Sequence, residues 1–361
     1  CGYDPTSTDL HLGHTITMRK LRQFQELGHE VTFLIGSYTA LVGDPSDKNK
    51  ARPLLTAEQV AENGRTYAEQ AFRILDQATT RVRYNGEWLS ELTLVDLIRL
   101  GQNFTVQQFL ARENFSKRMD KGEPVYLHET FYALMQGYDA TAMETDVQVG
   151  GTDQLFNIVV AGRKLQEALG QPPQVAIITG ILPGTDGHLR MSKTTGNHIP
   201  IMSTPEDMFG KIMALPDSAM SVYARLVTRW TPADIQTREQ ALETGALHPR
   251  DAKMQLAGEI VSIFYGDAAA AAAAAAFTRV YRHGDNPQDM PDLRVAGNPR
   301  LVDFIVENGL AASKGEVRRL IRQGGVRLDG DKVADTERRL DLAAETVLQL
   351  GKRRFVRLLP E

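Results

Sequence analysis

The segment Val31-Thr-Phe-Leu-Ile35, an apolar run closed by Gly36, is the feature that most restricts the fold. A strand with apolar side chains on both faces must be covered on both sides, as in a parallel sheet wrapped by helices. The residues before it supply such a wrapping: Leu12, Ile16, Arg19-Lys20 and Phe24 fit a helix closed by Gly28. Thr145 to Val149 and Val175 to Ile178 are two further strand candidates, and Asp153 to Leu169 between them reads as a helix. The alternation predicts an α/β fold with a parallel sheet.

Beyond Thr204 the β signals fade. Thr204-Pro-Glu-Asp207 combines a capping residue with Pro in the first turn, and the chain to about Tyr281 is predicted all-helical. Nine consecutive alanines, Ala268 to Ala276, lie in this stretch and carry no functional signal. His283 to Asp292, with Pro287 and Pro291, reads as a linker. A compact tail follows. Ser313-Lys-Gly-Glu316 is a capping-box pattern before a short helix ending at Gly324-Gly325, and Val326 to Val333 reads as a hairpin around Asp329-Gly330. The 361 residues thus divide into a parallel-sheet domain (1–203), a helical domain (204–283), a linker (284–298) and a small α+β tail (299–361).

Composition narrows the class. With 42% hydrophobic and 24% charged residues the chain is an ordinary globular one. It shows no run of 18 apolar residues and no basic-then-apolar leader, so no membrane association is expected. Cys1 is the only cysteine, which rules out an intrachain disulfide and a cysteine-based zinc site and makes a reducing cytoplasm the expected setting. The net charge of −4 argues against a uniformly basic nucleic-acid binder. Its distribution is uneven, however: residues 299–361 carry 13 Lys and Arg against 10 Asp and Glu, and the remainder 28 against 35. An acidic body with a basic tail suits one local RNA-binding module. The opening Cys1-Gly-Tyr-Asp-Pro5 reads as a strand running into a turn, so the natural start is expected to lie upstream.

Four segments carry chemistry. Asp9-Leu-His11-Leu-Gly-His14 joins a strand to a helix, where free N–H groups and the helix dipole favour phosphate. Gly13 lets a flat ring approach the backbone there. Surface histidines at a helix start would read the same in isolation. Leu189-Arg-Met-Ser-Lys193-Thr194 is a loop flanked by Gly184, Gly187 and Gly196 that could close a cation over a phosphate chain, or be a plain basic loop. Gly150-Gly-Thr-Asp153-Gln154 sits at a strand's carboxyl end, where open α/β sheets bind ligands; Asp153 could accept from ribose hydroxyls or simply cap a helix. Tyr132, Gln136 and Asp139 share one helical face, either solvated or turned towards a polar ligand.

Taken in order, these motifs resemble the class I aminoacyl-tRNA synthetases. His11-Leu-Gly-His14 is similar to the "HIGH" signature and Arg190-Met-Ser-Lys193-Thr194 to "KMSKS", with Arg190 for the first lysine and Thr194 for the last serine. Cys1 to Thr6 and Gly43-Asp-Pro-Ser46 resemble bacterial tyrosyl-tRNA synthetases in particular. The resemblance implies a Rossmann-like catalytic domain with a dimer-interface insertion at about 94–126, an anticodon-side helical domain and an S4-like RNA-binding tail. It implies L-tyrosine, ATP with Mg²⁺ and tRNA(Tyr) as partners, a homodimer, and no resident metal or cofactor. Thr6, His11, His14, Arg190 and Lys193 are the implied catalytic residues. Cys1, Gly2, Asp4, Gly13, Thr17, Gly151, Asp153, Met191, Ser192 and Thr194 are the implied ATP contacts. Thr39, Asp44, Tyr132, Gln136, Asp139, Gln148 and Gln154 are the implied tyrosine contacts, with Asp139 accepting from the phenol. A second phenol contact of the family would precede Cys1. In the tail, Lys314, Arg318, Arg319 and Arg322 form a basic helix face opposite Val317, Leu320 and Ile321, suited to RNA phosphates. A tryptophanyl-tRNA synthetase, a synthetase-like RNA-binding protein without activity, and a different nucleotidyltransferase with the same histidine motif, such as one acting on a small carboxylic acid, are the rival readings.

Overall fold

The computed structural model describes residues 1–6, 8–45, 56–279, 290–311, 313–342, 344–351 and 354–360. Ser46, quoted with Gly43 to Pro45 above, and residues 280–289, the end of the predicted helical stretch and the first part of the linker, lie outside them. The chain forms two compact units, Cys1–Ala274 and Ala275–Glu361.

In the first unit β1 (Gly2–Tyr3), β2 (Val31–Ile35) and β3 (Thr80–Tyr84) run parallel with β2 in the middle, and β4 (Val147–Gly151) pairs in parallel with β5 (Val175–Thr179). Val31, Phe33, Leu34 and Ile35 are all buried, so β2 is the two-face-buried strand its composition predicts. The strand β3 escapes that criterion because its Arg81 and Arg83 reach out to Glu30 and Glu87. The strand predicted from Thr145 begins at Val147 and runs on to Gly151.

The first helix, Leu12–Glu26, turns Leu12, Ile16, Met18 and Leu21 inward, and Gly28 beyond its end takes a φ of 84°. The helix Leu127–Ala142 packs closely on the segment 156–165. Gly137 makes that approach possible, since a β-carbon there would stand 3.0 Å from the Ala161 carbonyl carbon. The single helix predicted from Asp153 to Leu169 is instead three pieces: a 3₁₀ turn at Thr152–Gln154, wide π-type turns at Phe156–Gly162, and an α-helix at Arg163–Ala168. Gln174 donates to the Ile158 carbonyl from outside, and the Arg163 N–H reaches back five residues to the same oxygen.

Short helices at Leu94–Gly101, Val106–Leu110 and Glu113–Asp120 fill the predicted insertion, and Leu94, Val95, Ile98 and Val106 stand exposed on them. From Pro205 on, the described residues of this unit hold helices only, with Thr204 capping the first through its hydroxyl. The helix Pro249–Thr278, which carries the alanine run, is long and apolar enough to cross a membrane by length and composition. It breaks at Gly266, whose φ of 82° and ψ of 167° lie far from helical values, so neither half reaches the ~20 residues a span needs.

In the second unit β6 (Asp292–Val295), β7 (Val326–Leu328), β8 (Asp331–Lys332), β9 (Thr346–Leu350) and β10 (Arg354–Pro360) form one sheet in the order β6-β10-β9-β7-β8. The stretch 284–298, read as a linker, therefore contains a strand: residues 292–295 pair in parallel with β10. Leu301, Ile305, Val317, Val326, Leu348 and Leu358 make the core. Asp329 and Gly330 both adopt positive φ, 48° and 90°, as a two-residue hairpin between β7 and β8 requires.

Candidate active site

The carboxyl ends of β1, β2, β4 and β5 open onto one cavity of about 220 Å³. It gathers Cys1, Gly2, Asp4, Thr6, His11, Gly13, His14 and Thr17 from the first strand and helix, and Thr39 and Asp44 from beyond β2. Tyr132, Gln136 and Asp139 enter from the helix Leu127–Ala142, Gln148, Gly151, Asp153 and Gln154 from β4 and its turn, and Arg190 and Met191 from the second motif. Ser192, Lys193 and Thr194 do not line it. Lys193 lies half-exposed, with its ammonium 2.8 Å from Asp9, two residues before His11.

The two signature motifs are stitched together by backbone. Leu12 N–H donates to the Ile199 carbonyl at 3.0 Å and Ile201 N–H to the Leu10 carbonyl at 3.1 Å. The loop between is held by buried Asn197, which accepts from Ser192 N–H and Thr195 and donates to Asp186 and the Arg190 carbonyl. Gln70, also buried, bonds Leu10 N–H and the Thr8 carbonyl and so fixes the approach to His11.

His11 caps its own helix: its Nδ1 accepts from Gly13 N–H at 3.2 Å, and His14 Nδ1 accepts from His11 N–H at 3.2 Å. The rings sit 3.9 Å apart. Burial, then the neighbouring His14, His198 and Arg190, drive the His11 pKa far down, while burial and Arg190 lower that of His14 to about 4. Both imidazoles are therefore neutral at pH 7. With each Nδ1 used as an acceptor, each presents an Nε2–H donor. Two fixed donors at a helix N-terminus suit phosphate oxygens.

The opposite end is an acceptor pocket. Asp139, buried, accepts from Trp88 Nε1 at 2.8 Å and Asn85 Nδ2 at 3.2 Å. Burial raises its pKa to about 7, against the lowering effect of those two bonds. Asn85 also donates to Thr39 Oγ1, Thr39 to Asp4 Oδ1, and Tyr132 OH to Asp4 Oδ2 at 2.8 Å. Gly36 is required here, because a β-carbon would fall 1.9 Å from Asp4 Oδ1. A second chain runs Asp44, Gln154, Asn157, Gln136: Gln154 Nε2 donates to Asp44 at 2.7 Å, and Asn157 Nδ2 to both Gln154 and Gln136 at 2.9 Å. Gln148 accepts from Gln174 at 2.6 Å. Arg190 pairs with Asp153 at 2.9 Å, and the Thr17 hydroxyl is taken up by Tyr3 OH at 2.7 Å. Among the described residues no three His, Cys, Asp or Glu side chains cluster as a metal site.

Residues 1–282 match the family model for class I tRNA synthetases (W and Y), and residues 284–358 match the SYY-like C-terminal domain of tyrosine–tRNA ligases. The chain belongs to the class I tRNA synthetase family, on its tyrosine–tRNA ligase branch. It is 45% identical to the tyrosine–tRNA ligase of Thermotoga maritima, covering 99% of this chain and 89% of that one. With the Moorella thermoacetica enzyme of the same name it shares 47%, over 99% and 86% of the two chains. Among solved structures, the mitochondrial tyrosyl-tRNA synthetase of Aspergillus nidulans superposes with a TM-score of 0.62 at 23% identity, over 78% of this chain and 84% of that one. The tryptophanyl enzyme of Giardia lamblia superposes with 0.57 at 16%, over 76% and 78%. These last two establish the Rossmann-like fold alone.

Asn85, Trp88, Asn157, Asn197, Gln70 and Gln174 have no part in the motifs read from the sequence. Asn85 had one usable signal, its place just after the carboxyl end of β3. The others touch the site only through tertiary packing.

Proposed function

We propose that this chain activates L-tyrosine with ATP to tyrosyl-adenylate and pyrophosphate, then transfers the tyrosyl group to the 3′ end of tRNA(Tyr). The observation that carries the reading is the buried Asp139 at the closed end of a cavity whose other end presents two neutral imidazoles. A phenol O–H satisfies Asp139, and neither phenylalanine nor the differently placed indole N–H of tryptophan does so in the same pose. An acceptor left without its donor costs about 1–3 kcal/mol. Tyr132, Gln136, Asp44, Thr39, Gln148 and Gln154 hold the amino acid's ammonium end and body.

The tyrosine carboxylate attacks the α-phosphate of ATP in line, so positioning and charge do most of the work. ATP enters as its magnesium salt, the ion travelling with the phosphates. Thr6, His11, Arg190 and Lys193 serve the phosphates, with the Asp4 backbone at the α-phosphate. Gly2, Gly13, Met191, Ser192 and Thr194 pack round the nucleotide, and Cys1, His14, Thr17, Gly151 and Asp153 lie at its sugar. Lys193 must leave Asp9 for this, a swing that an exposed pair permits at small cost. The basic face of the helix Lys314–Arg322 takes RNA phosphates. Lys314 is paired with Asp303 at 2.8 Å, whereas Arg319 and Arg322 are exposed and make no ion pair among the described residues. The exposed Leu94, Val95, Ile98 and Val106 supply an apolar face for a homodimer. The setting is the cytoplasm.

Pyrophosphate exchange dependent on an amino acid tests the reading. Tyrosine should support exchange and tryptophan and phenylalanine should not; exchange driven by tryptophan, or by none of the three, rejects it.

A further inference from the structure

Gln174, 1% exposed, stands just before β5 and lines no part of the catalytic cavity, yet its side chain meets a residue that does. Its Nε2 lies 3.2 Å from the Ile158 carbonyl oxygen and 2.6 Å from the carboxamide oxygen of Gln148. The polarity of the second contact follows from the first. A backbone carbonyl only accepts, so the Gln174 atom against it is the NH₂. An NH₂ only donates, so Gln148 must meet it with Oε1. The Gln148 NH₂ is thereby turned away from Gln174. Gln148 lines the cavity, and its NH₂ has no acceptor among the described residues.

The surroundings fix Gln174 in turn. Its backbone N–H donates to Gln166 Oε1 at 2.8 Å, and Gln166, also 1% exposed, donates to the Thr145 carbonyl at 2.9 Å. At Gly162 a β-carbon would stand 2.5 Å from Gln174 Nε2, so the slot for this amide exists only beside a glycine. Stability alone does not call for a glutamine there. Its Oε1 is buried with no donor among the described residues, a cost that an apolar side chain of the same length would avoid. The Ile158 carbonyl has another donor besides, the Arg163 N–H. What is left for the amide to do is to orient Gln148.

Tyrosine brings two donors, its ammonium and its phenol, and one group that only accepts, its carboxylate. The pocket's other amides are largely spent within it: Gln154 Nε2 on Asp44 and Asp153, and Asn157 Nδ2 on Gln136 and Gln154. Gln148 has an NH₂ left to give, and Gln136, its oxygen taken by Asn157, can add a second. Resting on the function proposed above, we propose that Gln174 is a positioning residue for the first reaction step. It sets Gln148 with the NH₂ towards the tyrosine carboxylate, the group that attacks ATP. Reversed, the Gln148 amide would turn its oxygen against that carboxylate.

Tyramine keeps the ammonium and the phenol but has no carboxylate, so it separates this role from a merely structural one. In the full-length protein, calorimetry without ATP should find that Gln174→Met binds L-tyrosine about fivefold more weakly and tyramine within about twofold of wild type. Gln148→Met should weaken L-tyrosine by about tenfold, the loss of one hydrogen bond to a charged group. Because Gln174 acts through Gln148, the double variant should bind L-tyrosine no more weakly than Gln148→Met alone. Gln174→Asn, which keeps an NH₂ but is too short to reach Gln148, is the second variant should Gln174→Met unfold early, and it should show the same pattern. Equal weakening of both ligands, no weakening of L-tyrosine, or additive losses in the double variant each overturn the role of Gln174 and leave the proposed function standing. A wild-type protein without tyrosine-dependent pyrophosphate exchange fails the function itself, and so is told apart from failure of the positioning.

Discussion

Asp139 offers the most direct test of whether the closed end of the cavity is a pre-set acceptor. The residue is 3% exposed, and burial lifts its pKa to about 7. An unfolded aspartate titrates near ~3.9. Between those values the folded chain keeps a proton that the unfolded chain has released, so stability falls as pH rises. The slope is about 1.4 kcal/mol per pH unit, which amounts to about 4 kcal/mol from pH 4 to 7. Below that window the group is neutral in both states, and above it the penalty is complete. Asp139→Asn abolishes the titration, but it turns an amide NH₂ towards the Asn85 or Trp88 donor, a pH-independent loss of about 1–3 kcal/mol. The unfolding free energy of wild type minus variant should thus fall by about 1.4 kcal/mol per unit from pH 5 to pH 7, become negative by pH 7, and level off beyond. His11 and His14, whose lowered pKa values make acid destabilising, act alike in both proteins and cancel in the difference. Urea unfolding at pH 5, 6, 7 and 8 measures it. A difference that stays flat across this range refutes the proton-holding carboxyl.

Three other expectations follow from the geometry. Lys193→Ala removes an exposed ion pair worth less than about 1 kcal/mol, so Tm should hold while pyrophosphate exchange drops more than ~100-fold and tyrosine affinity stays put; equal exchange rates would dismiss the lysine. Gly36→Ala drives a methyl group into the Asp4 carboxylate and should raise the Kd for tyrosine by about tenfold or more, as calorimetry can check; retained affinity means that Asp4, Thr39 and Tyr132 do not act as a unit. Asn157→Ala unlinks Gln136 from Gln154 and should raise KM for tyrosine but not for ATP, with about 1–3 kcal/mol lost in unfolding; a parallel rise in both KM values would place the residue outside the amino-acid pocket.

What could be read before the structure and what could not divide along physical lines. Local signals held: the apolar run of β2, the Thr204 cap and the Asp329-Gly330 turn each depend on neighbours within a few residues. So did the face shared by Tyr132, Gln136 and Asp139, which all reach the cavity. The failures are tertiary. The break of the 153–169 helix into 3₁₀, π and α turns involves Gln174, which lies beyond the helix and takes one of its carbonyls. Strand β6 was hidden because a short polar-flanked segment such as Asp292-Leu-Arg-Val295 becomes a strand only when β10 is beside it. Asn85 and Trp88, the partners that fix Asp139, stand 54 and 51 residues away from it, so no spacing rule reaches them.

Polar groups in the cavity and at its rim are bonded to one another in a telling way: Arg190 to Asp153, Gln154 to Asp44 and Tyr132 to Asp4 within it, and Lys193 to Asp9 outside it. The Arg190 and Lys193 pairs join a cation suited to phosphate with a carboxylate suited to a hydroxyl or an ammonium. The Gln154 and Tyr132 pairs join a hydrogen-bond donor with a carboxylate of that same kind. On the proposed function the substrates bring the matching set, since ATP offers phosphates and ribose hydroxyls and tyrosine offers an ammonium and a phenol. Binding then exchanges partners instead of stripping them, which matters most for Asp153, whose side chain is 11% exposed, because a carboxylate out of water is costly to leave unpaired. It also couples the substrates' parts to one another. When Arg190 turns to a phosphate, Asp153 keeps only the Gln154 amide, 3.2 Å away, and ribose hydroxyls arriving at the same moment make good the loss. Selection for a whole nucleotide over a bare polyphosphate is thus a consequence of the pairs themselves, requiring no further recognition element.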